Sequence, residues 1–187
     1  MTLLDRILQN WRVDKAGRFI VPGMKVLDLG SADGVLFQRH GGCGPGSMGI
    51  DPALAADGRS PQGFLQRRGF FPQDMPKEAG RFDAVVMLAV LEHFPNDQHE
   101  VLADGIANCL RPGGLLIITV PSAVVDQILK VLTTLRLVHG MALEEHHGYE
   151  VGQTDQIFSP PRFRPLKREK FQLGVNNLFV FERAAEG

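Results

Sequence analysis

Leu3, Leu4, Ile7, Leu8 and Trp11 recur three and four positions apart, which predicts an amphipathic helix over residues 2–14 lying against a sheet. Two later apolar runs differ in kind. The run over residues 82–90 and "LLIITVP" at 115–121 are short and rich in β-branched residues, the mark of buried parallel strands. Shorter runs at 24–29 and at Met48-Gly49-Ile50, the latter ending on Asp51, predict two more strands. Residues 34–40 and 97–110 carry helical patterns, and Pro112 and Gly113 stop the second of them. Val124, Val125, Ile128, Leu129, Leu132 and Leu135 mark a further helix over 123–138. Residues 53–67 are weakly patterned; a short helix followed by a strand near 64–71 is expected there.

Residues 139–161 are polar and hold Gly140, Gly148, Gly152 and a Pro160-Pro161 pair, so they form a long irregular excursion. Such excursions in a compact domain are usually functional or mobile. The stretch "RPLKREKFQLGVNNLFVFER" predicts two strands with a turn around Gly174 to Asn177, and strands joined that briefly are antiparallel. Strand–helix alternation closed by a hairpin places the chain in the α/β class, with a doubly wound, mostly parallel sheet.

Composition narrows the partners. A chain of 187 residues with net charge −1 and 44% apolar residues suits one domain spanning 1–187, and nothing in it asks for a polyanionic partner such as nucleic acid. Arg162, Arg164, Lys167, Arg168 and Lys170 form a local cluster whose alternation suggests the solvent face of an edge strand. Cys43 and Cys109 lie far apart with no CxxC pair, which argues against a zinc knuckle or a disulfide framework, and Cys109 reads as a small core residue. Charges break every apolar run near the N-terminus, unlike a signal peptide, and no run reaches the ~18 apolar residues of a membrane span. A cytoplasmic monomer or homodimer is expected.

The chemistry begins at "KVLDLGSADGVL", where an apolar strand feeds a glycine turn and then a helix, as parallel sheets do where they receive a nucleotide-like ligand. The spacing is Gly30-x-x-x-Gly34, not G-x-G-x-x-G, and Ala32 occupies the middle. Asp28 ends the strand. Asp51 ends the next one, 21 residues beyond Gly30, where a carboxylate can accept both hydroxyls of a ribose. Either acid alone could simply cap a helix or sit in water.

Four blocks in order, "VLDLGSADG", "MGIDPA", "FDAVVMLAVLEHF" and "LRPGGLLIITVP", resemble a class I S-adenosylmethionine-dependent methyltransferase of the small-molecule type 11/12 group. The resemblance implies a Rossmann-like, mostly parallel seven-stranded sheet with a C-terminal antiparallel hairpin, and S-adenosyl-L-methionine as cofactor. It places the methionine portion over Gly30 and Ser31, with Asp28 meeting the amino group and Asp51 the ribose. Gly34 and Pro52 complete that set, while Asp74 and Met75 match the region contacting adenine. Met87, Leu88 and Ala89 should approach the methionine and ribose. Ala32 departs from the family's usual glycine and narrows the approach to the ligand.

The acceptor side is less marked. His93, in "LEHF", could take a proton from an acceptor hydroxyl, or merely shape the start of the next helix. In "EEHHGYE", His147 and Tyr149 belong either to an acceptor-binding lid or to a solvated charged turn. Metal binding is not indicated there, because neighbours in sequence diverge on a helix and no HExxH spacing occurs. Methyl transfer needs no diagnostic nucleophile, since positioning alone can contribute ~7–11 kcal/mol. The expected activity is transfer to the O, N or C of a small-molecule acceptor. A methyltransferase-like binding protein that keeps the cofactor site without catalysis is the alternative.

Overall fold

The computed structural model describes residues 3–32, 34–122 and 149–185; the helix expected over 123–138, and residues 139–148 of the excursion, lie outside these. An N-terminal helix α1 (Leu3–Gly17) precedes strand β1 (Val26–Leu29), helix α2 (Val35–Arg39) and strand β2 (Met48–Asp51). Strands β3 (Gly58–Arg59), β4 (Leu65–Arg68) and β5 (Phe82–Leu88) follow, then helix α3 (His99–Cys109) and strand β6 (Leu110–Pro121). A short helix α4 (Gln153–Ile157) leads to the terminal strands β7 (Phe163–Phe171) and β8 (Asn176–Arg183).

The strands form one sheet in the order β3-β4-β2-β1-β5-β6-β8-β7. The run from β4 to β6 is parallel, and β8 and β7 are antiparallel to their neighbours, as the sequence pattern implies. The sheet has eight strands because the two-residue β3 pairs antiparallel with β4. Connections leave β1 for β2 on one side, while β5 flanks it on the other. That reversal opens a crevice at the C-terminal strand ends, where doubly wound sheets bind ligands.

Alternate residues of each strand face opposite layers, which splits the core in two. Leu27, Val85, Met87, Leu116, Ile118, Phe179 and Phe181 pack with Leu102, Ala103 and Ile106 of α3. Val26, Ala84, Val86, Ile117, Leu178 and Val180 pack with Val13 and Ala16 of α1 and with Leu36 and Phe37 of α2.

Several expectations are corrected. No helix forms in residues 53–67; the segment carries the β3–β4 hairpin, whose residues are exposed or half-buried and therefore lack a hydrophobic period. Helix α1 buries Val13 and Ala16, whereas Ile7 and Trp11 of its expected apolar stripe are 44% and 53% exposed. Helix α3 stops at Cys109, ahead of the Pro112-Gly113 pair, and β6 already begins at Leu110. Leu110 pairs with Phe82 and Leu115 with Ala84, so the intervening residues bulge out of the ladder. The β7–β8 turn centres on Gln172–Gly174, just before the span expected. The last part of the excursion is not irregular, since α4 buries Thr154 and seats Phe158 in the core.

The basic cluster lies on and beside edge strand β7, where Arg162 pairs with Glu100 and Asp104, Arg164 with Glu182, Lys167 with Glu169, and Arg168 with Asp155. Burial raises both thiols, that of Cys43 to about 11, and Cys109 packs half-buried against the core. Among the described residues no helix is long and apolar enough to cross a membrane.

Candidate functional site

A cleft of about 1290 Å³ opens at the C-terminal ends of β1, β2 and β5. Its floor is the turn after β1. Gly30 has φ +73°, and its N–H donates to Ile50 O at 2.9 Å, which ties the turn to β2. A Cβ on Gly30 would stand 2.4 Å from Val90 Cγ2, so the neighbouring β5 loop, as well as any ligand, demands glycine here. Ser31 fits against Gly49, where a Cβ would meet its Oγ at 2.4 Å.

Ala32 keeps the left-handed conformation that a glycine would adopt freely, with φ +41°. Its N–H donates to Asp51 Oδ2 at 2.8 Å, and Ala53 N–H donates to Asp51 Oδ1 at 2.7 Å. Each carboxylate oxygen can accept two hydrogen bonds and here takes one from the backbone, so both retain capacity for a ligand. Asp28 is 3% exposed at the end of β1 and borders the same cleft. A second alanine, Ala89, also has a left-handed backbone (φ +57°) beside the cleft, and its N–H is held by Thr119 O at 2.9 Å. Left-handed non-glycine residues gather where a site over-determines the backbone.

Most of the expected cofactor residues converge here. Asp28, Gly30, Ser31, Asp51, Pro52, Asp74, Leu88 and Ala89 all line the cleft. Asp74 also closes the turn before it, accepting Phe70 N–H on Oδ2 at 2.8 Å. Three do not reach the cleft. Gly34 is buried behind the loop, its N–H donating to Ser31 O at 2.7 Å, and Met75 packs against the core. Met87 faces the α3 layer and is fully buried, because its neighbour Leu88 takes the cleft-side position in the strand's alternation.

The acceptor-side candidates separate. His93 is exposed on the cleft wall beside Phe94, Pro95 and Gln98. His147 lies outside the described residues. Tyr149 packs edge-on against His99, with ring centroids 5.9 Å apart, and its hydroxyl is hydrogen-bonded to Thr154 Oγ1. Burial, with help from Glu92 and Asp155, pushes the phenol well above its ordinary range. Tyr149 therefore packs on the α3 side and does not line the cleft.

Residues not singled out in the sequence also line the cleft, three of them on the N-terminal helix, which with the 139–161 excursion is expected to build the acceptor pocket. Gln9, Arg12 and Val13 enter from α1, and Phe70, 65% exposed, stands at the mouth. The i, i+3, i+4 spacing of Gln9, Arg12 and Val13 was visible, but a polar helix face reads as solvated until a fold covers it.

The donor set fits S-adenosylmethionine. Two carboxylates end adjacent strands and can receive an amino group and a ribose, and their negative charge suits a sulfonium. Among the described residues no cluster of three metal-ligating side chains occurs.

Similarity to known proteins agrees with this geometry. The mitochondrial ubiquinone biosynthesis O-methyltransferase of Rattus norvegicus is 34% identical over 107 residues, which cover 52% of this chain and 30% of that protein. The chain thus spans under a third of that relative's length. The fold is similar to that of the N-methyltransferase NodS from Bradyrhizobium japonicum WM9, with TM-score 0.70 and 17% identity over 98% of this chain and all of that one (100%). It is also similar to a Burkholderia thailandensis 1,6-didemethyltoxoflavin-N1-methyltransferase, solved with its substrate and S-adenosylhomocysteine, at TM-score 0.69 and 14% identity over 97% of this chain and 80% of that one. Residues 4–155 match the methyltransferase domain family, and the chain belongs to that S-adenosylmethionine-dependent family.

Proposed function

We propose that this protein methylates an oxygen of a small molecule. The observation that carries the reading is the convergence of Asp28, the Gly30–Ala32 turn and Asp51 on one cleft whose wall presents His93. The oxygen acceptor is favoured by the likeness to an O-methyltransferase over the best-matched part of the chain. When bound, the cofactor supplies an activated methyl group whose transfer discharges a positive sulfur. The chain's own residues then have four tasks. Asp28 and Asp51 hold and orient the donor, Asp74 and Phe70 bound its base end, and Leu88 and Ala89 shape the wall beside it. His93 accepts the proton of the acceptor hydroxyl as it becomes a nucleophile.

The test is a methyl-donor assay with labelled S-adenosylmethionine against a panel of phenols, catechols, amines and carbon acids. Methylation of a hydroxyl, with S-adenosylhomocysteine formed in equal amount, is the expected result. Binding of S-adenosylhomocysteine without turnover on any class would favour the silent binding protein instead.

A further inference from the structure

The turn between β7 and β8 is built against its own backbone preference. Gln172 and Leu173 both have left-handed φ, +53° and +58°, and neither is glycine. Side chains with a Cβ resist that region, and hairpins that need it normally use Asn-Gly or Gly-Gly. Leu173 gains no burial in return, being fully exposed. The gain lies at Gln172, which is 7% exposed. Its Nε2 donates to the Leu8 carbonyl at 3.0 Å, across 164 positions of sequence, while its Oε1 accepts from Asn176 Nδ2. Ser122 steadies the turn, its Oγ donating to Gly174 O at 2.8 Å and its N–H to Val175 O at 2.9 Å.

Leu8 belongs to α1, and the residues that follow it, Gln9, Arg12 and Val13, line the cleft. The C-terminal half of α1 is anchored independently. Val13 and Ala16 are buried, Asp14 pairs with Arg39, and Lys15 pairs with Glu169. The preceding turns expose Ile7 and Trp11, so apolar burial holds them less firmly. Gln172 reaches the helix in this lightly held half, one residue before it enters the cleft wall.

We propose that Gln172 is a positioning residue for the cofactor cleft. From a strained turn at the far side of the sheet it holds α1 in place, so that Gln9 and Arg12 stand at the cleft. The left-handed backbone at Gln172 and Leu173 is what presents the amide to the helix. The proposal rests on the reading of the cleft as the S-adenosylmethionine site.

Calorimetry with S-adenosylhomocysteine, together with hydrogen exchange of α1 amides on the same samples, tests it. Gln172→Glu keeps the shape and the bond from Asn176 but cannot donate to Leu8. It should bind about threefold to tenfold more weakly, the worth of one hydrogen bond, and exchange faster in the first turns of α1. Gln172→Ala should do the same or more. Leu173→Gly relaxes the turn with the amide retained and should bind like the parent. Gln172 variants that melt earlier yet bind S-adenosylhomocysteine like the parent would overturn the proposal, because the turn would then be structural only. If Gln172→Ala does not fold, Gln172→Glu in a Leu173→Gly background decides the matter by the same two readouts. A parent chain that fails to bind S-adenosylhomocysteine overturns the cofactor reading, and this proposal with it.

Discussion

The backbone N–H of Ala32 donates to Asp51 Oδ2 at 2.8 Å, so the acid at the end of β2 holds the loop after β1 in a left-handed conformation. Position 32 is strained in a way that composition alone does not reveal. An L residue in that region costs about 1–2 kcal/mol, and replacing alanine by glycine loosens the unfolded chain by about 0.4–1 kcal/mol. Ala32→Gly should therefore leave stability level or raise it by up to about 1.6 kcal/mol. Affinity for S-adenosylhomocysteine should be at least that of the parent. Denaturant melts and calorimetry check both; a collapse in affinity would mean that the alanine methyl itself touches the ligand.

Gly30 is constrained by protein before any ligand arrives. Gly30→Ala would put a methyl 2.4 Å from Val90 Cγ2 on a backbone with φ +73°. Overpacking and the left-handed conformation together should cost about 2–5 kcal/mol. Val90→Ala in the same chain should recover part of the loss by making room. Urea melts of the two single variants and the double variant measure the coupling, and strict additivity would show that the clash relaxes elsewhere.

The alternation of strands and helices from residue 24 to 121 was legible because buried parallel strands advertise themselves as apolar runs, and the Asp28–Gly30–Asp51 arrangement was legible because its spacing is tight. The β3–β4 hairpin was not, since exposed edge residues carry no hydrophobic period. The orientation of α1 was missed for the opposite reason. Its apolar residues Ile7 and Trp11 are half exposed, while Gln9 and Arg12 border the cleft, so the hydrophobic stripe pointed to the wrong face. Tyr149 looked like a lid residue among charged neighbours, and only the tertiary contact with His99 and Thr154 shows it to be packed.

His93 and Tyr149 should part in kinetics. His93→Ala should lower turnover about 100-fold or more if the imidazole takes the proton, while S-adenosylhomocysteine affinity stays within about twofold. Tyr149→Phe should leave turnover intact and cost about 1 kcal/mol of stability through the lost bond to Thr154. Steady-state rates on a hydroxyl acceptor found in the panel assay supply the comparison. The reverse ordering would move the acceptor wall to the Tyr149 side.

His99 gives a pH signature. Burial holds its imidazole below the ordinary 6.5, although the bond to the Phe94 carbonyl and the charge of Asp97 pull the other way. The unfolded chain therefore takes up the proton at higher pH than the native one. The contribution of neutral His99 is complete above about pH 6.5 and is lost as pH falls through the depressed native value. Melting temperatures between about pH 7 and pH 5 should fall more steeply for the parent than for His99→Gln. Parallel curves would show that His99 titrates alike in the native and unfolded chains.

The most direct measurement is calorimetric titration of the parent and of Asp51→Ala with S-adenosylhomocysteine, with NADH titrated alongside. The parent should bind S-adenosylhomocysteine and not NADH. The variant should bind at least about tenfold more weakly, because charge-assisted bonds to Asp51 at about 1.5–3 kcal/mol each are lost along with its hold on Ala32. Equal affinity in the variant would remove Asp51 from the site, and tight NADH binding without S-adenosylhomocysteine binding would contradict the account outright.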